Sequence, residues 1–188
     1  MRLADMLPIF AGVATVAYPF LVYFGLTVLP PGVMVALAIG IGGLHLLRGR
    51  GRGDGLLPPW GFLVIVCVLL GLLGLRPVLA MKAYPPVFNL CLAATFAWSL
   101  LRPPTVIERI ARLTKPNLPP EGIAYTRNVT KVWIVFFLAN AAIASACALW
   151  ASVAVWTLWN GLIAYLLVGA LFAGELLYRR HRLRRATT

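Results

Sequence analysis

The chain has 188 residues, of which 61% are hydrophobic and only 12% charged, about half the charged share of a soluble domain. Its formal charge of +12 would point to nucleic acid if the basic residues shared one face of a soluble fold. They sit instead in the gaps between long apolar stretches, which sets nucleic acid aside and makes anionic lipid headgroups the expected electrostatic partner.

A hydrocarbon core of about 30 Å needs roughly 20 apolar helical residues. Six stretches approach that length, at about residues 7–29, 33–47, 60–75, 86–101, 129–150 and 156–178. They define an all-α polytopic membrane protein with one six-helix domain over residues 1–178 and a basic tail over 179–188. The first stretch starts like a secretory signal, with Arg2 ahead of small residues Ala14 and Ala17, but its apolar run continues to Leu29. It therefore reads as an uncleaved first helix, kinked at Pro19. Pro30, Pro31 and Gly32 make a reversal without charge, and Gly40, Gly42 and Gly43 in the second stretch allow another helix to approach closely. A flexible basic loop from Arg48 to Gly55 ends at Pro58 and Pro59. Arg76 and Pro77 close the third stretch, and Tyr84, Pro85 and Pro86 are expected to open the fourth. A long polar connection over 102–128 leads to the fifth stretch, and a charge-free turn over 151–155 to the sixth.

Apart from Arg76 and Lys82, every basic residue falls in alternate gaps or at a terminus. Lys and Arg are held back on the cytoplasmic side during insertion, so this alternation predicts that both termini and the 48–59 and 102–128 loops are cytoplasmic. Tryptophans prefer the membrane interface, and Trp60, Trp98 and Trp133 are expected at inner ends, Trp150 and Trp156 at outer ones. The location that follows is a membrane crossed several times, with the basic ends on the side of synthesis.

Within the polar connection, Thr105 is a candidate helix N-cap, and Glu108 three positions on completes a capping-box pattern. Val106, Ile107, Ile110 and Leu113 share one face, while Glu108, Arg109, Arg112 and Lys115 share the other, with Glu108 and Arg112 one turn apart. A short basic amphipathic helix lying among headgroups is the expectation, either as a recruiter of anionic lipid or a partner, or as a connector resting on the bilayer.

Arg76, Lys82 and Tyr84, with Asn89 slightly deeper, form the one polar cluster on the expected outer side. Two cations there could hold a phosphate or carboxylate headgroup, although long basic side chains also snorkel without any task. Asn140 and Asn160 lie inside spans, where helix-to-helix hydrogen bonding is the default and substrate contact the alternative. Glu175, a carboxylate within the last span, is spaced to pair with Arg179, and Ala170 and Gly174 beside it offer a close-packing face. Cys67, Cys91 and Cys147 are scattered and read as packing residues. His45 and His181 have no ligand-spaced neighbours, so neither metal nor cofactor is expected, and no catalytic residue can be named.

The segment from Arg102 to Arg112 (RPPTVIERIAR), then Leu118 to Gly122 (LPPEG), Tyr125 to Arg127, the Trp133, Phe136, Phe137 and Asn140 series, and Trp159 to Gly161 together carry a resemblance. Over roughly residues 100–185 the chain resembles a family of bacterial inner-membrane proteins found with aryl-polyene and xanthomonadin-type pigment gene clusters. More distantly, it is similar to the intracellular septation protein A family. That resemblance implies a bacterial inner-membrane protein supporting cell-envelope construction or the making or handling of a lipid-like polyene, and the first reading is a non-enzymatic component working with membrane lipids and membrane-protein partners. Two alternatives are a small transporter or flippase with its cavity near Arg76, Lys82, Asn140 and Asn160, and a membrane-embedded lipid or acyl transferase using Glu108, Glu121 or His45.

Overall fold

The computed structural model describes residues 18, 20–21, 23–25, 29–50 and 58–185, with side chains described except at 44–50, 114 and 178–185. Most of the first expected span with its Pro19 kink, and residues 51–57 of the basic loop, lie outside the described residues. So do the side chains of His45, Arg179 and His181.

The described residues are helical without a strand: α1 (Pro31–Arg50), α2 (Pro59–Leu75), α3 (Pro77–Leu101), α4 (Val106–Thr114), α5 (Pro120–Trp150), α6 (Val153–Leu158), a π turn (Trp159–Ile163) and α7 (Ala164–Arg185). The last three follow without a break in helical backbone. Proline opens α2, α3 and α5, where its missing N–H would have had no partner and its fixed φ suits the first turn. Arg76 alone separates α2 from α3, ending one helix and starting the next. Ser152 caps α6 by accepting from Val155 N at 3.3 Å, so α5 and α6 are joined by Ala151 and Ser152 only.

Among the described residues, three helices are long and apolar enough to cross a bilayer: Pro77–Leu101, Pro120–Trp150 and Val153–Leu177. Pro31–Gly43 and Pro59–Leu75 are apolar but shorter. Their outward faces carry Leu63, Leu70, Leu90, Val135 and Leu166, while Asn140, Asn160, Thr130 and Lys82 are buried. Large apolar side chains facing outward along membrane-length helices are what a lipid environment selects, and they mark a membrane protein.

The boundaries differ from the sequence expectation in an instructive way. The fourth span begins at Pro77 instead of Pro86, so Pro85 and Pro86 sit inside α3. The fifth helix begins at Pro120 instead of Val129, and the sixth at Val153 instead of Trp156. Central α3 packs against α1, α2 and α5. One core joins Met34 and Ala38 of α1, Ile65 and Leu69 of α2, and Met81 of α3, with Tyr18 and Trp156 at its edge. A second, around Phe96, Trp133 and Phe137, joins α3 to α5 and reaches Val106 of α4. The close approach expected at the glycines occurs at Gly42, where an added Cβ would lie 3.1 Å from the Phe62 ring; Gly40 faces open space.

Candidate functional site

A proline inside a helix deprives the carbonyl four residues earlier of its N–H partner. Pro85 and Pro86 therefore release the Met81 and Lys82 carbonyls in the second turn of a membrane-length helix, among buried side chains where each orphan is costly. Both are satisfied from elsewhere in the chain. The Tyr18 hydroxyl donates to Met81 O at 2.9 Å, and Trp156 Nε1 donates to Lys82 O at 3.2 Å. Trp156 is fully buried by this contact and thus is not the interfacial anchor expected of it. Trp133 is likewise buried, packed against Phe137 and Phe172, whereas Trp60, Trp98 and Trp150 are exposed. The Arg102 guanidinium lies over the Trp98 ring, 5.5 Å from its centroid.

Lys82 is buried and donates from Nζ to Ala151 O at 3.1 Å, at the C-terminus of α5. A cation there meets the negative end of the helix dipole and fills a carbonyl that the helix cannot. Arg76 remains exposed at the α2–α3 junction. The structure thus assigns the two outer cations to different surroundings. Tyr84 is buried beside Lys82, its ring 4.9 Å from Tyr18 and 5.7 Å from Phe88.

One turn further along α3, three helices are tied by a single chain of side-chain bonds. Trp159 Nε1 donates to Asn140 Oδ1 at 3.0 Å, Asn140 Nδ2 donates to Asn89 Oδ1 at 3.1 Å, and Asn89 Nδ2 donates to Pro85 O at 2.9 Å. An indole can only donate and a carbonyl only accept, so both amide orientations are fixed from end to end. Asn160 donates from Nδ2 to Trp156 O at 2.9 Å, where the helix repeat widens into the π turn. Such turns recur at functional sites. Asn89, Asn140 and Asn160 line one small cavity of about 130 Å³, with rings of Tyr18, Tyr84, Phe88, Phe136, Phe137 and Tyr165 around it.

A wider groove of about 690 Å³ runs between α5 and α7 on the same seam, beyond the Trp133 ring. Val129, Val132, Trp133, Ala170 and Leu171 give it an apolar floor, and Glu121, Tyr125, Asn128 and Glu175 a polar mouth. The mouth lies where α5 begins and α7 ends, because the two helices run antiparallel. Ala170 and Gly174, expected to pack against another helix, line this groove, and a Cβ at Gly174 would meet nothing.

The amphipathic helix is present as α4. Thr105 Oγ1 accepts from Glu108 N at 3.2 Å, and Arg112 Nε and Nη2 reach Glu108 Oε1 at 3.0 and 2.8 Å. Arg109 Nε donates to Pro104 O, and Lys115 is exposed. The facing is only partly as expected. Glu108 is buried and Val106 with it, while Ile110 and Leu113 are outward, 48% and 75% exposed.

Sequence reasoning found Asn140, Asn160 and Glu175 individually, and the structure brings the two asparagines to one cavity. It missed Asn89 as their partner, and also Tyr18, Trp156 and the Glu121–Glu175 groove. A Pro-Pro pair within a possible span was the available signal, because it demands outside donors. Among the described residues, no group of three His, Cys, Asp or Glu side chains could hold a metal.

The fold and seam define an all-helical membrane protein with a lateral groove and a small interior cavity walled mostly by aromatic rings. Compared with known proteins, the chain matches no family model, no curated protein and no solved structure.

Proposed function

We propose that this protein is a six-span component of the bacterial inner membrane, with both termini cytoplasmic, that supports cell-envelope or polyene-lipid biogenesis by holding a lipid-like chain rather than by catalysis. The observation that carries this reading is the groove of about 690 Å³ between α5 and α7, apolar along its floor and polar only at its mouth. A single-ended polarity of that kind matches an amphiphile with its chain along Val132, Trp133 and Leu171 and its head near Tyr125 and Asn128. The outward Ile110 and Leu113 of α4, flanked by Arg109 and Lys115, support contact with a bilayer containing anionic headgroups. A transporter cavity shared by Arg76 and Lys82 draws little support, since Lys82 is engaged at Ala151 O.

Filling the groove tests the proposal. Gly174→Leu has room for its side chain and should reduce both co-purifying lipid and complementation of a deletion strain's lipid profile at least five-fold. Glu121→Gln should retain complementation if no chemistry occurs at the mouth. Full complementation by Gly174→Leu combined with Ala170→Leu would overturn the groove, and loss of it in Glu121→Gln would favour a transferase.

A further inference from the structure

The cavity of about 130 Å³ lies deeper on the α5–α7 seam than the groove, and its chemistry is different. Among the described residues no charged side chain lines it, and six aromatic rings do. An apolar cavity of about 150 Å³ is large enough to bind benzene, so this one accommodates a single six-membered ring. What separates it from an apolar void is Asn160. That residue is 4% exposed, its Nδ2 is committed to Trp156 O, and among the described residues this is the only hydrogen bond its amide makes. Since the carbonyl of Trp156 fixes Nδ2, the other limb of the amide, Oδ1, is an acceptor on a residue that lines the cavity. Asn140 is already engaged at both ends of its amide, its oxygen receiving Trp159 Nε1 and its nitrogen donating to Asn89 Oδ1.

An acceptor that no protein donor serves calls for a donor on whatever occupies the cavity. Water could supply one, and about four waters at roughly 30 Å³ each would fit the volume, but an aromatic wall gives most of them no partner. A ring with one hydroxyl satisfies both demands at once, with edge and face contacts to Tyr84, Phe88 and Phe137 and one O–H donated to Asn160. We infer that the cavity among Asn160, Asn140 and the surrounding aromatic rings is a binding site for a small uncharged hydroxylated ring. The inference does not depend on the groove, whose lining residues are separate.

The test uses the full chain in detergent, with 4-fluorophenol and fluorobenzene as probes followed by fluorine NMR. Saturable 4-fluorophenol binding, at least ten-fold tighter than that of fluorobenzene, is expected. Asn160→Leu keeps the volume and removes the acceptor, so it should abolish the ten-fold preference while fluorobenzene still binds. Val168→Phe, which fills the cavity without touching the amide chain, should eliminate saturable binding of both probes. Equal affinity for the two probes, no saturable binding because the cavity holds water only, a preference unchanged in Asn160→Leu, or binding retained in Val168→Phe would each overturn the site.

Discussion

At the scale of single residues, Asn140 is the most heavily committed side chain in the seam. Its oxygen receives an indole from beyond the α5–α6 turn, and its nitrogen reaches an amide on α3. Interhelical hydrogen bonds of this kind contribute roughly 0.6–2 kcal/mol each in a membrane. Asn140→Leu removes two and strands Trp159 Nε1 and Asn89 Oδ1, so a destabilisation of about 2–3 kcal/mol is expected. Trp159→Phe removes one bond and leaves the Asn140–Asn89 link, and should cost about half as much. Denaturation in mixed micelles reads the difference. If Asn140→Leu is no worse than Trp159→Phe, the chain of bonds does not act as a unit. That an intramembrane asparagine needs a partner was legible from the sequence. Which partner was not, because Asn89 and Asn140 are brought together only by the packing of α3 on α5.

At the scale of elements, the same contrast between local and distant causes decides what could be read in advance. The Thr105 cap and the Glu108–Arg112 pair were legible because each involves residues within one turn, and helix geometry alone brings them together. The start of α3 was not. Proline biases its predecessor away from helix, so Pro85 and Pro86 were reasonable boundary signals. They are tolerated inside α3 only because Tyr18 and Trp156, 63 and 74 residues away from the carbonyls they serve, supply the missing donors. A non-additivity follows. Tyr18→Phe alone strands Met81 O and should cost about 1–2 kcal/mol. In a Pro85→Ala background, residue 85 regains an N–H that can close the helical bond to Met81 O, and the same Tyr18→Phe change should then cost little. A double-mutant cycle with a coupling of about 1 kcal/mol is expected. A coupling near zero would mean that the tyrosine stabilises through its ring contact with Tyr84 and not through the freed carbonyl.

At the scale of the whole molecule, the hairpin formed by α5 and the α6–α7 rod is the firmest constraint on how the chain meets a membrane. Only Ala151 and Ser152 join the two, so the start of α5 and the end of α7 lie at the same end. With 31 residues at 1.5 Å each, α5 is about 46 Å long, well beyond a hydrocarbon core of about 30 Å. If Trp150, 81% exposed, marks one interface, the surplus falls at the other end, and Glu121, Tyr125 and Asn128 project into the headgroup layer. The groove mouth would then open where lipid heads are, with α4 and its basic residues beside it. Basic residues concentrated at that end, in Arg109, Arg112, Lys115, Arg127 and the tail, lead us to propose that its side is cytoplasmic. Single cysteines in a background lacking Cys67, Cys91 and Cys147 make this measurable. Lys115→Cys should react with an impermeant maleimide only after the inner membrane is opened, and Ser152→Cys should react in intact spheroplasts. The reverse pattern would refute the charge argument while leaving the hairpin intact. Both sites reacting from one side would refute the crossing of α5 itself, and with it the placing of the seam within the bilayer.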